Sequence, residues 1–468
     1  MQIPIVAQTD TIPQVLRRLI AGSCLMALPF AAQAEDLRLS ADAARALALQ
    51  ALQQGDPATA AQIAQGLLQR DPDDGMAHFT LARAFQQMRQ PGKGRRSARL
   101  AFRHAGGETD KFHAAQLAAR LAVEDNSPTA AQVWLRRSLL HVPDPRMRPR
   151  IEKDYRILRQ LSPWQFGLSL SLAPSSNLNN GADSPYSLID GVPVVGYLSG
   201  SAQALSGLRA SADASVSYRL SQSKSQATRV SFRAFGQRVH LSDEARDIAP
   251  DVSNGDLAFN YLELGLNQQR KAHNGGWAFG AALGQSWSGG EKYQQSKRLH
   301  LSRHLPVGDA SLLGLTGQLE HIRHDSGLAD IHGLTLSTRL SHRSDATGDW
   351  QVSLSLKTED SDNANAARNR VDGQINWSPR KSKATAMIHP TLSLGASWQH
   401  YADFTVGLPV PGGREDETLF GQVEFTLQAL DYGGFVPSLR VQARKTDSNV
   451  SRYDTRETTV SFGIKSAF

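Results

Sequence analysis

The chain changes its periodicity once. Up to about residue 160 apolar side chains recur every three or four positions; from residue 163 onward they alternate with polar ones. The first spacing lines one stripe of a helix and the second lines one face of a strand. Residues 35–160 therefore read as a helical domain and residues 161–468 as a β domain.

The helical part repeats. Leu47, Ala48, Ala51, Pro57, Ala60, Ala64, Leu67 and Pro72 recur 34 residues later as Leu81, Ala82, Phe85, Pro91, Gly94, Ala98, Ala101 and Gly106. A third copy, after an insertion of about three residues, gives Ala118, Ala119, Ala122, Pro128, Ala131, Leu135, Ser138 and Pro143. A period near 34 with small residues where paired helices cross is the tetratricopeptide pattern. Each helix pair in such an array buries its apolar stripe only against its neighbours. A last helix, about 146–160, carries Arg146, Arg148, Arg150, Lys153, Arg156 and Arg159.

The second part contains 14 alternating runs, from Trp164–Leu172 to Val460–Ile464. Leu208, Ala210, Ala212, Ala214 and Val216, for example, interleave with Arg209, Ser211, Asp213, Ser215 and Ser217. A soluble sandwich also alternates, so the connections decide. Those after even-numbered runs are short, as at Gln222–Gln226 and Pro306–Ala310. Those after odd-numbered runs are longer on average, notably Ala173–Gly207, Leu241–Gly255 and Ala402–Asp416. Short turns on one side and long loops on the other is the asymmetry of outer-membrane barrels, whose strands need about ten residues to cross. The expectation is an α + β two-domain chain: N-terminal tetratricopeptide-like helices and a C-terminal antiparallel 14-stranded transmembrane β-barrel. With both barrel termini on the short-turn side, the helices lie in the periplasm.

Composition adds the compartment. Arg17 and Arg18 precede the short apolar run Leu19–Leu28, and Ala32-Gln33-Ala34 follows. That is the layout of a secretory signal peptide over residues 1–34. The sole cysteine, Cys24, lies inside it, so no disulfide framework is available to the exported chain. A mean hydropathy of −0.37 excludes a polytopic helical membrane protein. The terminal Phe468 resembles the insertion signal that closes bacterial outer-membrane barrels.

The net charge of +7 belongs to the helices, where residues 35–160 hold 20 basic against 14 acidic side chains; residues 161–468 hold 29 of each. Arg95, Arg96, Arg99 and Arg103 form the peak, with no acid from 83 through 107. They read either as a solvated face or as a docking surface for an acidic partner or anionic lipid. Without interleaved aromatics this run is no nucleic-acid site. Turning the apolar faces outward points Arg209, Asp213, Arg219, Arg229, Arg233, Glu263, Glu320, Arg339, Lys357, Asp372, Glu424, Arg440, Arg444 and Lys465 into the lumen. Both signs are present, unlike a single-sign filter. Neither an HExxH nor a GxSxG motif occurs, and His321 and His324 point to opposite faces of a strand. No enzyme activity, metal or cofactor is expected.

The stretch Leu172-Ala173-Pro174-Ser175-Ser176-Asn177-Leu178-Asn179-Asn180-Gly181-Ala182, following the first strand, is similar to that of the surface lipoprotein assembly modulator (Slam) family. The resemblance implies a periplasmic repeat domain fused to a 14-stranded outer-membrane barrel. It implies passage of particular lipoproteins, or in some branches soluble proteins, to the cell surface. The implied partners are an exported client and outer-membrane lipid, with the barrel-assembly machinery and periplasmic chaperones as further candidates. Asn177, Asn179 and Asn180 match the family stretch and read equally as turn residues opening a long loop. The alternative is a polysaccharide-export porin, which also joins tetratricopeptide repeats to a barrel but usually with a longer array.

Overall fold

The computed structural model describes residues 39–466 apart from 190, 191, 326, 381, 383, 384 and 386. The signal peptide expected over 1–34 and the terminal Phe468 lie outside the described residues.

Three helix pairs and a closing helix make the N-terminal domain: α1 (Ala41–Gln53), α2 (Pro57–Arg70), α3 (Gly75–Gln87), α4 (Pro91–Arg103), α5 (Glu108–Glu124), α6 (Pro128–Leu139) and α7 (Arg148–Leu161). Ala82, Ala98, Ala118 and Ala131 are wholly buried where helices cross. At Gly94 an added Cβ would stand 3.0 Å from Leu121 and 3.2 Å from the Ala82 carbonyl oxygen, so the repeat needs glycine there. Pro57, Pro91 and Pro128 open the second helix of each pair, in the turn whose N–H groups have no intrahelical acceptor. Leu47, the counterpart of buried Leu81, stays 42% exposed, since among the described residues no helix precedes α1.

The turns inside the pairs share one device. The N–H groups of Asp56, Gln90 and Ser127 donate back to the carbonyls of Ala51, Phe85 and Ala122 at 2.9, 2.9 and 2.8 Å. The residue before each is left-handed: Gly55 at φ 80°, Arg89 at φ 55° and Asn126 at φ 49°. This is the Schellman closure, which glycine suits and asparagine tolerates. Only the middle repeat puts a long side chain there.

From Trp164 the chain forms a closed antiparallel barrel of 14 strands. They are β1 (Trp164–Ser175), β2 (Gly207–Gln222), β3 (Gln226–Leu241), β4 (Phe259–Lys271), β5 (Gly276–Ser288), β6 (Glu291–Val307) and β7 (Ser311–His324). The circuit continues with β8 (Ile331–Ser344), β9 (Gly348–Asp360), β10 (Arg368–Ser378), β11 (Ile388–Tyr401), β12 (Arg414–Leu427), β13 (Phe435–Ser448) and β14 (Thr455–Ser466). Phe166, Leu168, Leu299, Leu319, Leu394 and Leu419 stand exposed on the outer face, where a bilayer would solvate them. Outward Trp277 and Trp287 sit ten residues apart on β5. At about 3.3 Å per residue and a tilt near 40° they bracket about 25 Å, the height of an outer-membrane apolar band. Trp164, Tyr218, Trp350 and Trp377 complete the girdle at the short-turn end, with ring pairs at 4.6 and 5.8 Å. The protein is thus an outer-membrane barrel with a periplasmic helical domain.

Connection lengths on the two sides overlap: 379–387 on the short-turn side is longer than 325–330 on the long-loop side. On the long-loop side β5 and β6 meet at Gly289-Gly290 alone, and β6 runs for 17 residues. The hairpin rises above the membrane as a ribbon in place of a loop.

Arg89→Gly should therefore stabilise the repeat domain by about 0.5–1 kcal/mol, since glycine removes the left-handed penalty. Urea melts of the full-length protein, followed by helical circular dichroism, should show a higher midpoint. A lower midpoint would show that the Arg89 side chain contributes more than its backbone costs.

Candidate functional site

The helical array is tied to the barrel's periplasmic mouth. α7 passes straight into β1 through Ser162-Pro163, where the Ser162 hydroxyl accepts the Trp164 N–H at 3.2 Å and contacts Thr129 of α6 at 2.8 Å. Arg219, inside the mouth, donates to the last carbonyls of α7, Gln160 at 2.9 Å and Leu161 at 2.6 Å. Those carbonyls have no intrahelical donor, and a cation suits the negative helix end. Arg148 pairs with Asp431 in the β12–β13 turn at 2.9 Å. Arg136 of α6 donates to the Gly433 and Gly434 carbonyls and lies between the Tyr155 and Phe435 rings, 4.8 and 4.4 Å from their centroids.

The basic run on α4 divides in two. Arg95 binds Asp125 at 2.5 Å and the Ser127 hydroxyl at 3.1 Å, fastening α4 to the α5–α6 turn. Arg96, Arg99 and Arg103 remain exposed. A second surface was missed in the sequence: α5 and α7 flank a groove of about 770 Å³ with Val123 and Ile157 on its walls and Arg120, Arg146 and Arg150 around it. The arginines were visible, but the apolar partners belong to helices distant in sequence. In the first turn of α5, Lys111 and His141 hold the Glu108 carboxyl below its ordinary range.

The strand register places all the polar-face residues named above on the inner wall. Asp213 pairs with Arg233 at 2.5 Å, and Arg209 with Glu457 at 3.2 Å. Glu424 joins Arg440 and Lys465. A chain of ion pairs then follows the wall: Glu263 to Arg298, Arg298 to Glu320, Glu320 to Lys357, Lys357 to Glu359 and Glu359 to Arg368. Arg298 was missed, although its alternation with Leu299 and Leu301 marks it as inward. Glu359, Arg368 and Arg370 were missed because they lie at strand ends, where the alternation stops.

Among the described residues, the seam between β1 and β14 is the shortest ladder of the barrel. It joins Leu170 to Ile464, Ser171 to Gly463, Leu172 to Phe462 and Ser175 to Thr459, whereas β1 pairs with β2 from Trp164 through Ser175. Pro174 sits in the seam and has no N–H to give.

Folded loops cover the extracellular mouth. The Asn-rich stretch stitches the first: Asn177 exchanges two hydrogen bonds with Gly181 at 2.8 Å each, and Asn179 donates to Ser201 and Gln203 while accepting from Leu205. Asn180, exposed, takes the left-handed turn position at φ 54°. Two apolar clusters set the loops on the rim. Leu178 and Leu205 meet Val239, Leu241 and Ala245; Ile189 and Val450 meet Tyr401, Phe404 and Val410. Beneath the second cluster Arg414 binds fully buried Asp416 at 2.5 Å and faces the Tyr401, Phe404 and Tyr453 rings. Removing one partner of a buried pair strands the other charge at a cost of about 3–5 kcal/mol. Arg414→Met should thus loosen the cap, seen as faster protease cleavage within 402–413 on intact cells. Adding Asp416→Leu should restore most of the protection. Unchanged cleavage in the single variant would mean the pair does not hold the cap.

Among the described residues no three His, Cys, Asp or Glu side chains converge on a metal position. His321 meets His332 across the ladder, 3.3 Å between Nδ1 atoms, and not His324. No curated protein matches the chain. Solved structures similar to parts of it include the Yersinia enterocolitica type III secretion translocator chaperone SycD, at 17% identity over 26% of this chain and 86% of that one, TM-score 0.23. A bacterial polysaccharide outer membrane secretin matches at 10% identity over 64% and 98%, TM-score 0.34. A BenF-like porin from Pseudomonas fluorescens Pf-5 matches at 11% over 65% and 98%, TM-score 0.36. Similarities at that level carry no functional argument. The model of one family, surface lipoprotein assembly modifier, matches residues 164–468, which is the whole barrel, and the chain belongs to that family.

Proposed function

We propose that the helical array receives an exported client in the periplasm and that the barrel delivers it to the cell surface, without catalysis. Residues 1–34 are removed on export in this reading, leaving a receptor of residues 35–160 and a conduit of 161–468. The docking of α6 and α7 on the periplasmic mouth carries the proposal, because it holds receptor and conduit together through Arg136, Arg148 and Arg219. The client polypeptide runs through the wet, charged lumen. The short β1–β14 seam lets the acyl chains of a lipoprotein stay in the bilayer while the polypeptide passes. Arg96, Arg99 and Arg103 attract an acidic segment of the client, and periplasmic chaperones bring it. The barrel-assembly machinery inserts the chain itself, reading Phe468.

Exposed basic contacts act mainly on association and weaken with salt. Replacing Arg96, Arg99 and Arg103 with Gln should leave folding within about 0.5 kcal/mol per site. Client capture at low ionic strength should fall about tenfold, from roughly 0.5 kcal/mol lost at each contact. Capture that is unchanged at low salt would reduce the run to a solvated face.

Leu172→Cys with Phe462→Cys tests the seam. The two positions are ladder partners, within the Cα separation a disulfide spans. The oxidised barrel should insert normally and display lipidated client several-fold less, recovering with reductant. Full display through a locked seam would remove the seam from the route.

A further inference from the structure

The lumen wall mixes both signs in composition, yet its pairing is one-sided. Its carboxylates are taken up in the ion pairs described above, and what remains is cationic. Arg229, Arg339 and Arg444 pair with no carboxylate among the described residues, and Arg229 Nη1 is buried without a hydrogen-bond partner. Arg339 and Arg444 line a common bay of about 800 Å³ inside the barrel. Hydroxyl and amide groups, including those of Ser337, Ser353 and Gln374, make up much of the remaining lining. The bay's carboxylate, Asp372, is held by Arg370 at 2.6 Å.

We propose that this bay binds carboxylate-bearing chain, and that its occupant is an extended acidic stretch of the client polypeptide. The inference rests on the delivery role proposed above and names the chemistry the lumen prefers. Each guanidinium can grip one carboxylate through two parallel N–H donors, and the hydroxyls can serve the lone pairs left over. Low-dielectric walls of one net sign also concentrate the opposite charge within them. Arg339 and Arg444 stand on β8 and β13, five strands apart, so their backbones are about 20 Å distant. A small anion satisfies one of them. An extended segment of about five residues, at about 3.4 Å each, reaches both.

Residues 35–468 contain no cysteine, so a single introduced thiol reports on its own surroundings. Ser353 faces Arg339 across the β8–β9 ladder and lines the bay. Protein of residues 35–468 carrying Ser353→Cys, in detergent micelles, should react faster with anionic sulfonatoethyl methanethiosulfonate than with its cationic trimethylammonium counterpart. The preference should exceed that at a Ser169→Cys control, opposite Asp213, by about tenfold. Adding Arg339→Gln and Arg444→Gln should return it to the control value. A hexaglutamate peptide should slow modification at Ser353→Cys several-fold, and hexalysine should not. Equal rates for the two reagents, or a cationic preference, would overturn the electropositive bay. An anionic preference without hexaglutamate protection would overturn the polypeptide occupant. Failure of both reagents, with normal labelling of the unfolded chain, would mean a sealed bay and overturn the proposal. Client display is measured separately in cells, so loss of the delivery role leaves these rates untouched.

Discussion

Backbone hydrogen-bond closure is the constraint on which the rest of this structure depends. In the bilayer no water is available to an unpaired N–H or C=O, so a sheet survives there only when its last strand returns to its first. Fourteen strands meet that condition here. Closure then dictates the alternation, with leucine and phenylalanine outward and serine, glutamine and charged residues inward. It also identifies the weakest place in the wall. Among the described residues the β1–β14 ladder has four partnered positions and a proline, the fewest in the barrel. The same strand β1 is the direct continuation of α7, so the helical domain is attached to the strand that borders the seam.

Charge inside the barrel obeys a second rule. Ion pairs stacked from strand to strand, Glu263 through Arg298 and Lys357 to Arg368, brace one arc of the wall and leave no carboxylate free there. Such pairs serve position more than stability, because desolvation offsets much of their attraction. Arg229, Arg339 and Arg444 pair with no carboxylate among the described residues, and the last two line one bay of the lumen. At the extracellular end Arg414 and Asp416 do the opposite: a buried pair under aromatic rings lies beneath the loop cover.

The fold was legible wherever the physics is local. Small residues at fixed spacing revealed the helix crossings because a Cβ at Gly94 would strike Leu121. Alternation revealed each strand because the side-chain period of a strand is two. The β5–β6 ribbon escaped, since Gly289-Gly290 lies inside a stretch too polar to show where the strands end. The site was less legible, because its contacts are set by register across strands and by helix packing. Nothing near Arg95 announces that Asp125, 30 residues on, will neutralise it. Glu263 and Arg298 meet from β4 and β6, across an intervening strand. Loops have no period at all, so the cover built from Leu178, Ile189, Phe404 and Val450 had no signature. The asparagines marked its place without its purpose, which is to stitch the first loop to itself.

Trapping a client inside the barrel is the most direct test of the central claim, that the receptor feeds a lumen. A photo-crosslinking amino acid at Ser337, on the inner wall, and another at Leu336, on the lipid face, differ by one residue and one side of the sheet. During display in living cells the account predicts client adducts at Ser337 and a much lower yield at Leu336. Adducts at Leu336 with none at Ser337 would contradict it, because the polypeptide would then be passing along the outside of the barrel.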